Sequence, residues 1–159
     1  MAKQQENIMI KELKKDKANK KRAQSVWEIA ESAYNSGSPW TVKQFQKMIA
    51  AENTIILTAF LPNVGELALV VASQTMIEID IYMVASKKNY QRKGIAKQLL
   101  KKLITRSQKK ELKNIFLEVR KSNKAAYHLY QNLGFKEIGY RKSYYSKPKE
   151  DAIMMRFDL

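Results

Sequence analysis

The run Tyr90-Gln91-Arg92-Lys93-Gly94-Ile95-Ala96-Lys97 holds the residues whose types and spacing most directly suggest chemistry. It follows an apolar segment ending near Val84 and opens a lysine-rich helical pattern, so it reads as a tight turn feeding a helix N-terminus. Free backbone N–H groups and the positive end of the helix dipole point the same way there, which makes an anion site. Gly94 and Ala96 are small enough to let a pyrophosphate approach the backbone, and Arg92, Lys93 and Lys97 add positive charge. Neither a GxxxxGK sequence followed by Ser or Thr nor a GxGxxG sequence occurs, which disfavours a P-loop NTPase or a dinucleotide fold. An ordinary helix start with a glycine for steric room would carry the same residues.

Other reactive side chains are scarce. With no cysteine, disulfides, cysteine nucleophiles, iron–sulfur clusters and zinc–thiolate sites are excluded. The single histidine, His128, leaves no second imidazole for a paired-histidine metal site, so no metal is expected. Charge is abundant by contrast: 30 Lys+Arg against 15 Asp+Glu give +15, an excess that favours nucleic acid, acidic protein or a phosphorylated cofactor as partner. Positions 87–113 concentrate it, with eleven basic residues and one acid, Glu111. Lysines nevertheless outnumber arginines 24 to 6, and phosphate and base readers usually prefer the arginine fork, so a lysine-rich compositional bias explains the overall excess equally well.

The elements that must position these residues follow from pattern. At 159 residues and 45% hydrophobic composition, a single domain over 1–159 with one sizeable core is expected, residues 1–7 forming a possible flexible N-terminus. The longest apolar run, 67–72, is far too short to span a bilayer, and no N-terminal signal sequence is evident, so a cytoplasmic protein without membrane contact is expected. A short strand over 8–13 precedes a helix that Asp16 can cap and that runs to about Tyr34. Thr41 can cap a second helix carrying Phe45, Met48 and Ile49 at helical spacing. Positions 54–61 and 66–73 read as a hairpin around Pro62-Asn63-Val64-Gly65, and 76–84 alternates as a third strand. A helix over 94–110 places Ile95, Leu99, Leu100, Leu103 and Ile104 on one stripe, and 114–120 alternates as a strand. Asn123 can cap the next helix, and Gly134 fits the left-handed position that stops it. Strands over about 136–145 and 151–157 close the chain. The order is mixed α/β, with helices available to flank a largely antiparallel sheet.

In this context the turn resembles the acetyl-CoA signature of the GCN5-related N-acetyltransferases (GNAT), Gln/Arg-x-x-Gly-x-Gly/Ala, here Gln91-Arg92-Lys93-Gly94-Ile95-Ala96. The resemblance runs from about Pro39 to Met155 and is densest over 89–100, over Leu117-Glu118-Val119-Arg120-Lys121-Ser122-Asn123 with 129–135, and over Arg141-Lys142-Ser143-Tyr144-Tyr145 with 150–155. The third block is similar to that of the RimI type, which acetylates protein N-termini. The chain departs from relatives by Lys87-Lys88 where many carry Asp-Pro, and by Ala96 in place of glycine.

The resemblance implies a GNAT acyl-CoA N-acyltransferase fold, acetyl-CoA as co-substrate, and roles for named residues. Amine acetylation needs a neutral nucleophile, a stabilised oxyanion and a proton for the departing thiolate, and no covalent enzyme intermediate. By resemblance Glu118 is the base acting through water and Tyr130 the acid, although a paired strand glutamate and a packing tyrosine would look the same. Arg92, Lys93, Gly94, Ile95, Ala96 and Lys97 would hold the pyrophosphate, Asn123 would contact the cofactor, and Val84, Ala85 and Ser86 would offer a backbone donor to the oxyanion. Arg141, Tyr144 and Tyr145 would line a groove for an extended N-terminal peptide. A protein N-terminus, with ribosomal-protein alanine as the family's implied substrate, leads. A small amine, polyamine or lysine side chain is the second acceptor class, and a basic CoA- or RNA-binding regulatory protein the non-enzyme reading. The basic surface would suit proximity to the ribosome or its RNA. Oligomeric state is not legible.

Overall fold

A computed structural model of the chain describes residues 7–15 and 20–159. The proposed Asp16 cap and the terminal segment 1–6 lie outside the described residues. The elements run β1 (Met9–Glu12), α1 (Lys20–Ala33), α2 (Val42–Ala50), β2 (Thr54–Leu61), β3 (Gly65–Gln74), β4 (Glu78–Ser86), a 3-10 turn (Lys88–Tyr90), α3 (Ile95–Lys109), β5 (Asn114–Arg120), α4 (Lys124–Leu133), β6 (Lys136–Ser146) and β7 (Lys149–Asp158). The strands are ordered β1-β2-β3-β4-β5-β7-β6. β1 with β2, β5 with β7 and β6 with β7 are antiparallel, and β4 with β5 is parallel, so the sheet is the mixed, largely antiparallel one the sequence implies. The chain divides into two compact units, Met1–Val71 with Met83–Leu100, and Ala72–Tyr82 with Lys101–Leu159.

In the first unit, α1 buries Ala23, Val26, Ile29 and Ala30 against Phe45 and Ile49 of α2, Ile56, Leu69 and Val71 of β2 and β3, and Met83 and Ala85 of β4. Each large side chain removed from water contributes about 1.5–3 kcal/mol. Trp27 and Trp40 pack on this cluster, Trp40 edge-on to Phe45 at 5.3 Å between ring centroids, as their apolar bulk predicts. Thr41 and Gln44 form a reciprocal capping box that fixes the start of α2.

In the second unit, β5 buries Ile115, Leu117 and Val119 and turns Asn114, Phe116, Glu118 and Arg120 to the opposite face, the period of two that its sequence displays. β5 pairs with β7 along its whole length, from Asn114 with Asp158 to Arg120 with Ala152. The Asn123 side chain accepts the Ala126 N–H at 3.2 Å to cap α4, and Gly134 ends it at φ 105°. A Cβ at Gly134 would lie 3.1 Å from the Phe157 ring, so both backbone angle and space demand glycine there.

One boundary differs from the pattern. The alternation that begins at Ile77 predicts strand from 76, yet Met76 and Ile77 are 94% and 53% exposed at the tip of the β3–β4 hairpin. Thr75 closes that turn: its N–H donates to Glu78 O at 2.9 Å and its hydroxyl oxygen accepts the Glu78 N–H at 3.1 Å. A side-chain turn closure overrides two apolar residues with nothing to pack against.

Candidate active site

The candidate anion-binding turn lies in the first unit and is assembled by side chains as well as glycine. Gln91, at the mouth of the turn, donates from its amide to Ser86 O at 3.1 Å and Ala33 O at 3.3 Å, tying the turn to the end of β4 and to the end of α1. Lys88 N–H is accepted by Ser32 Oγ at 3.1 Å, a second tie to α1. Arg92 and Gly94 both take positive φ, 62° and 77°. Alternating backbone handedness turns successive N–H groups into one concavity. Helical bonding in α3 starts with Gln98 N–H to Gly94 O at 3.1 Å, so the N–H groups of Ile95, Ala96 and Lys97 precede the intrahelical ladder. Arg92, Lys93, Gly94 and Lys97 are exposed, while Ile95 is buried and can offer only its backbone. A Cβ built at Gly94 meets nothing within 4 Å, so the space over the turn is open. Exposed cations, early amides and open space suit the pyrophosphate of a nucleotide-bearing cofactor.

Ala85 is buried, and Val84 and Ser86 are partly so. Their backbone lies beyond the parallel register, in which Glu78, Ile79, Asp80 and Ile81 of β4 face Asn114, Ile115, Phe116 and Leu117 of β5.

In the second unit, Glu118 is half-buried, and its Oε1 lies 3.4 Å from Arg141 Nη2. Glu118 and Arg141, read from separate sequence blocks as base and acceptor-groove candidates, are thus one ion pair. Arg141 also stands over the Tyr144 ring at 5.4 Å, and Tyr144 meets Tyr145 edge-on at 5.1 Å. β6 shifts register between Arg141 and Tyr145, with Ser143 at φ 51° and its N–H bonded to Asp151 Oδ1 at 2.8 Å. Asp151 therefore shapes the bulge between the two aromatic residues and the arginine. Tyr130 is buried on α4, its ring 5.9 Å from Phe135, which in turn stands 5.4 Å from Phe157. Asn123 caps this helix as its type predicts, and His128 is exposed.

Sequence reading gives Asp80 no role, and it places Arg120 and Glu150 in the resemblance blocks without their contacts. Asp80 shares the polar face of β4: burial pushes its carboxyl up, the Glu78 charge adds to that, and Arg141 pulls it down. Arg120 stacks on the Tyr145 ring at 4.0 Å, and Glu150 accepts from both Arg120 and the Ser122 N–H. The period-two alternation of β4 and β5 marks Asp80 and Arg120 as outward-facing, but their partners come from strands distant in sequence.

The acetyltransferase (GNAT) family matches residues 23–135. The chain is 35% identical over 124 residues to the ribosomal protein bS18-alanine N-acetyltransferase of Escherichia coli K12, covering 76% of this chain and 82% of that protein. The crystal structure of the ribosomal-protein-S18-alanine N-acetyltransferase from Escherichia coli superposes with TM-score 0.84 at 28% identity, covering 96% of this chain and 94% of that one. A GNAT acetyltransferase from Elizabethkingia anophelis with acetyl-CoA bound shares the fold at TM-score 0.75 and 18% identity, over 96% and 99% of the two chains. The chain therefore belongs to the GNAT family and is an acetyl-CoA-dependent N-acetyltransferase.

Proposed function

We propose that the acceptor is the N-terminal α-amino group of a protein, an alanine-first ribosomal protein of the S18 kind, acetylated directly from acetyl-CoA. The observation that carries this reading is the 35% identity to the bS18-alanine enzyme across 76% of the chain; the family match over 23–135 takes in the Glu118 block and the helix bearing Tyr130. The turn at Arg92, Lys93, Gly94, Ile95, Ala96 and Lys97 holds the pyrophosphate, and Asn123 contacts the cofactor. The amine nitrogen attacks the thioester carbonyl carbon, the C–N bond forming to give a tetrahedral oxyanion whose collapse breaks the C–S bond. Glu118 takes the ammonium proton through water; the α-amino group, with a reference pKa of roughly 7.7–8.0, needs only a modest base. A backbone N–H at Val84, Ala85 or Ser86 stabilises the oxyanion. Tyr130 delivers a proton to the departing thiolate. Arg141, Tyr144 and Tyr145 line the groove for the acceptor's extended backbone.

The basic run at 87–113 suits an acceptor presented beside ribosomal RNA, and a cytoplasmic site of action goes with that acceptor. Among the described residues no helix is long and apolar enough to cross a membrane. The test is thiol release from acetyl-CoA with mass spectrometry, over alanine-first ribosomal peptides, lysine peptides and polyamines. Acetylation confined to peptide α-amines is the expected result, and transfer to lysine side chains or polyamines alone would replace the acceptor class.

A further inference from the structure

We propose that Arg120 and Glu150 form a positioning pair that ties Tyr145 to the start of α4, the helix that carries Tyr130. This deepens the proposed function, on which it rests only for the role of Tyr145 in holding the acceptor.

Glu150 stands at the start of β7 and divides its two oxygens between two elements. Its Oε1 accepts the backbone N–H of Ser122, the residue before the Asn123 cap of α4, and its Oε2 lies 3.3 Å from Arg120 Nη1. Arg120 is the last residue of β5. Its Nη1 also donates to Pro148 O at 3.2 Å and its Nη2 to Lys147 O at 3.1 Å, so the same guanidinium closes the β6–β7 turn. The face of that guanidinium covers the Tyr145 ring at 4.0 Å, and Tyr145 is the register partner of Glu150. One carboxylate and one guanidinium thus hold a helix start, a strand end, a turn and an aromatic ring together.

The backbone holds Tyr145 from one side only, through its pairing with Glu150. Between Arg141 and Tyr145 the β6–β7 register shifts, so the strand ladder that would otherwise fix Tyr145 is interrupted on the side toward Arg141. The Arg120 contacts supplement it, and they use a planar, forked cation: lysine has the charge but neither the two-nitrogen fork nor the flat face that stacks on tyrosine. Arg120 and Glu150 touch no reacting atom in this scheme and act through Tyr145 and Ser122.

The test uses Arg120→Lys, Glu150→Gln and the double variant in the full chain, with the amine the wild type acetylates and folding checked by circular dichroism. Loosening a positioned group costs on the order of tenfold to a hundredfold, and the expected signature is an acceptor KM raised about tenfold with acetyl-CoA affinity by calorimetry within about twofold. Arg120→Lys should show this rise although it keeps the charge, and the double variant should be no worse than the poorer single one. Wild-type acceptor KM in either folded single variant would overturn the pair's role. Should the wild type acetylate no peptide α-amine, the acceptor reading falls, and the pair is judged by nuclear magnetic resonance alone. Glu150→Gln should then move both the Ser122 amide and the Tyr145 ring signals, and a Tyr145 ring indifferent to Glu150→Gln would overturn the tie.

Discussion

Arg141 reaches from β6 across β7 to Glu118 on β5, Nη2 to Oε1 at 3.4 Å. It can cross because its register partner on β7 is Ala152, a side chain too short to block the span. The guanidinium holds the carboxylate from the β6 side, so the proposed base and the proposed peptide groove share one contact.

That contact separates two variants. The pair is half-exposed and adds no more than about 1 kcal/mol to stability, so Arg141→Met and Glu118→Gln should both unfold near the wild-type temperature. Losing a general base costs about 10²–10⁴-fold, so Glu118→Gln should lower kcat on that scale with acetyl-CoA affinity kept. Arg141→Met should chiefly raise the acceptor KM. Steady-state kinetics over acceptor concentration distinguish them; full activity in Glu118→Gln would remove Glu118 from the mechanism.

Tyr130 carries a packing duty and a proposed chemical one, and Tyr130→Phe divides them. The ring stays against Phe135, so the melting temperature should fall by no more than the few degrees that a lost hydrogen bond of about 1 kcal/mol implies. The missing phenol proton should cut kcat by about a hundredfold while leaving the cofactor dissociation constant unchanged. A variant with unaltered kcat would leave Tyr130 as a core residue only.

Local signals made the helices legible. Asn123 with Ala126, Thr41 with Gln44, and Gly134 each act within four residues, so sequence spacing carried their geometry directly. The alternation over 114–120 marked β5 and the outward face of Glu118 in the same way. Contacts between distant strands were not legible: nothing near Glu118 in sequence indicates Arg141, and nothing near Arg120 indicates Tyr145. The 3-10 turn at Lys88–Tyr90 is too short to display a period, and the positive φ of Arg92 and Ser143 belongs to residue types that rarely adopt it. The Glu150-Asp151 pair, which the resemblance links to peptide acceptors, accepts from Ser122 N–H and Ser143 N–H, so any part it takes in the proposed groove is indirect.

The turn offers a test in which backbone and side-chain effects separate. Gly94→Ala adds a methyl group that meets no protein atom but sits at φ 77°, so the expected cost is backbone strain of about 1–2 kcal/mol. The methyl also enters the space proposed for the pyrophosphate, so acetyl-CoA affinity by calorimetry should fall. Arg92→Gly removes a positive-φ strain and one cation together, so stability should hold or rise while cofactor affinity weakens. Unchanged affinity in both folded variants would move the pyrophosphate elsewhere.

Asp80 and Glu150 should respond to pH with opposite sign. The Ser122 hydrogen bonds, with help from Arg120, hold Glu150 below its ordinary value of 4.5, so its ionised form favours the folded state. That contribution is complete above 4.5 and is lost as pH falls through the depressed folded value, so Glu150→Gln should be less stable than wild type at pH 7 and converge with it in acid. Asp80 is raised above 3.8, chiefly by burial and then by Glu78, against the pull of Arg141, so its ionised form opposes folding. The penalty is absent below 3.8 and complete once pH exceeds the raised folded value, so Asp80→Asn should be more stable than wild type at pH 7 and lose that advantage toward pH 3. Urea unfolding of the three proteins across that range reads both signs at once. An Asp80→Asn variant destabilised at pH 7 would mean that attraction to Arg141 outweighs burial, and would make Asp80 a second counter-charge to the arginine that holds Glu118.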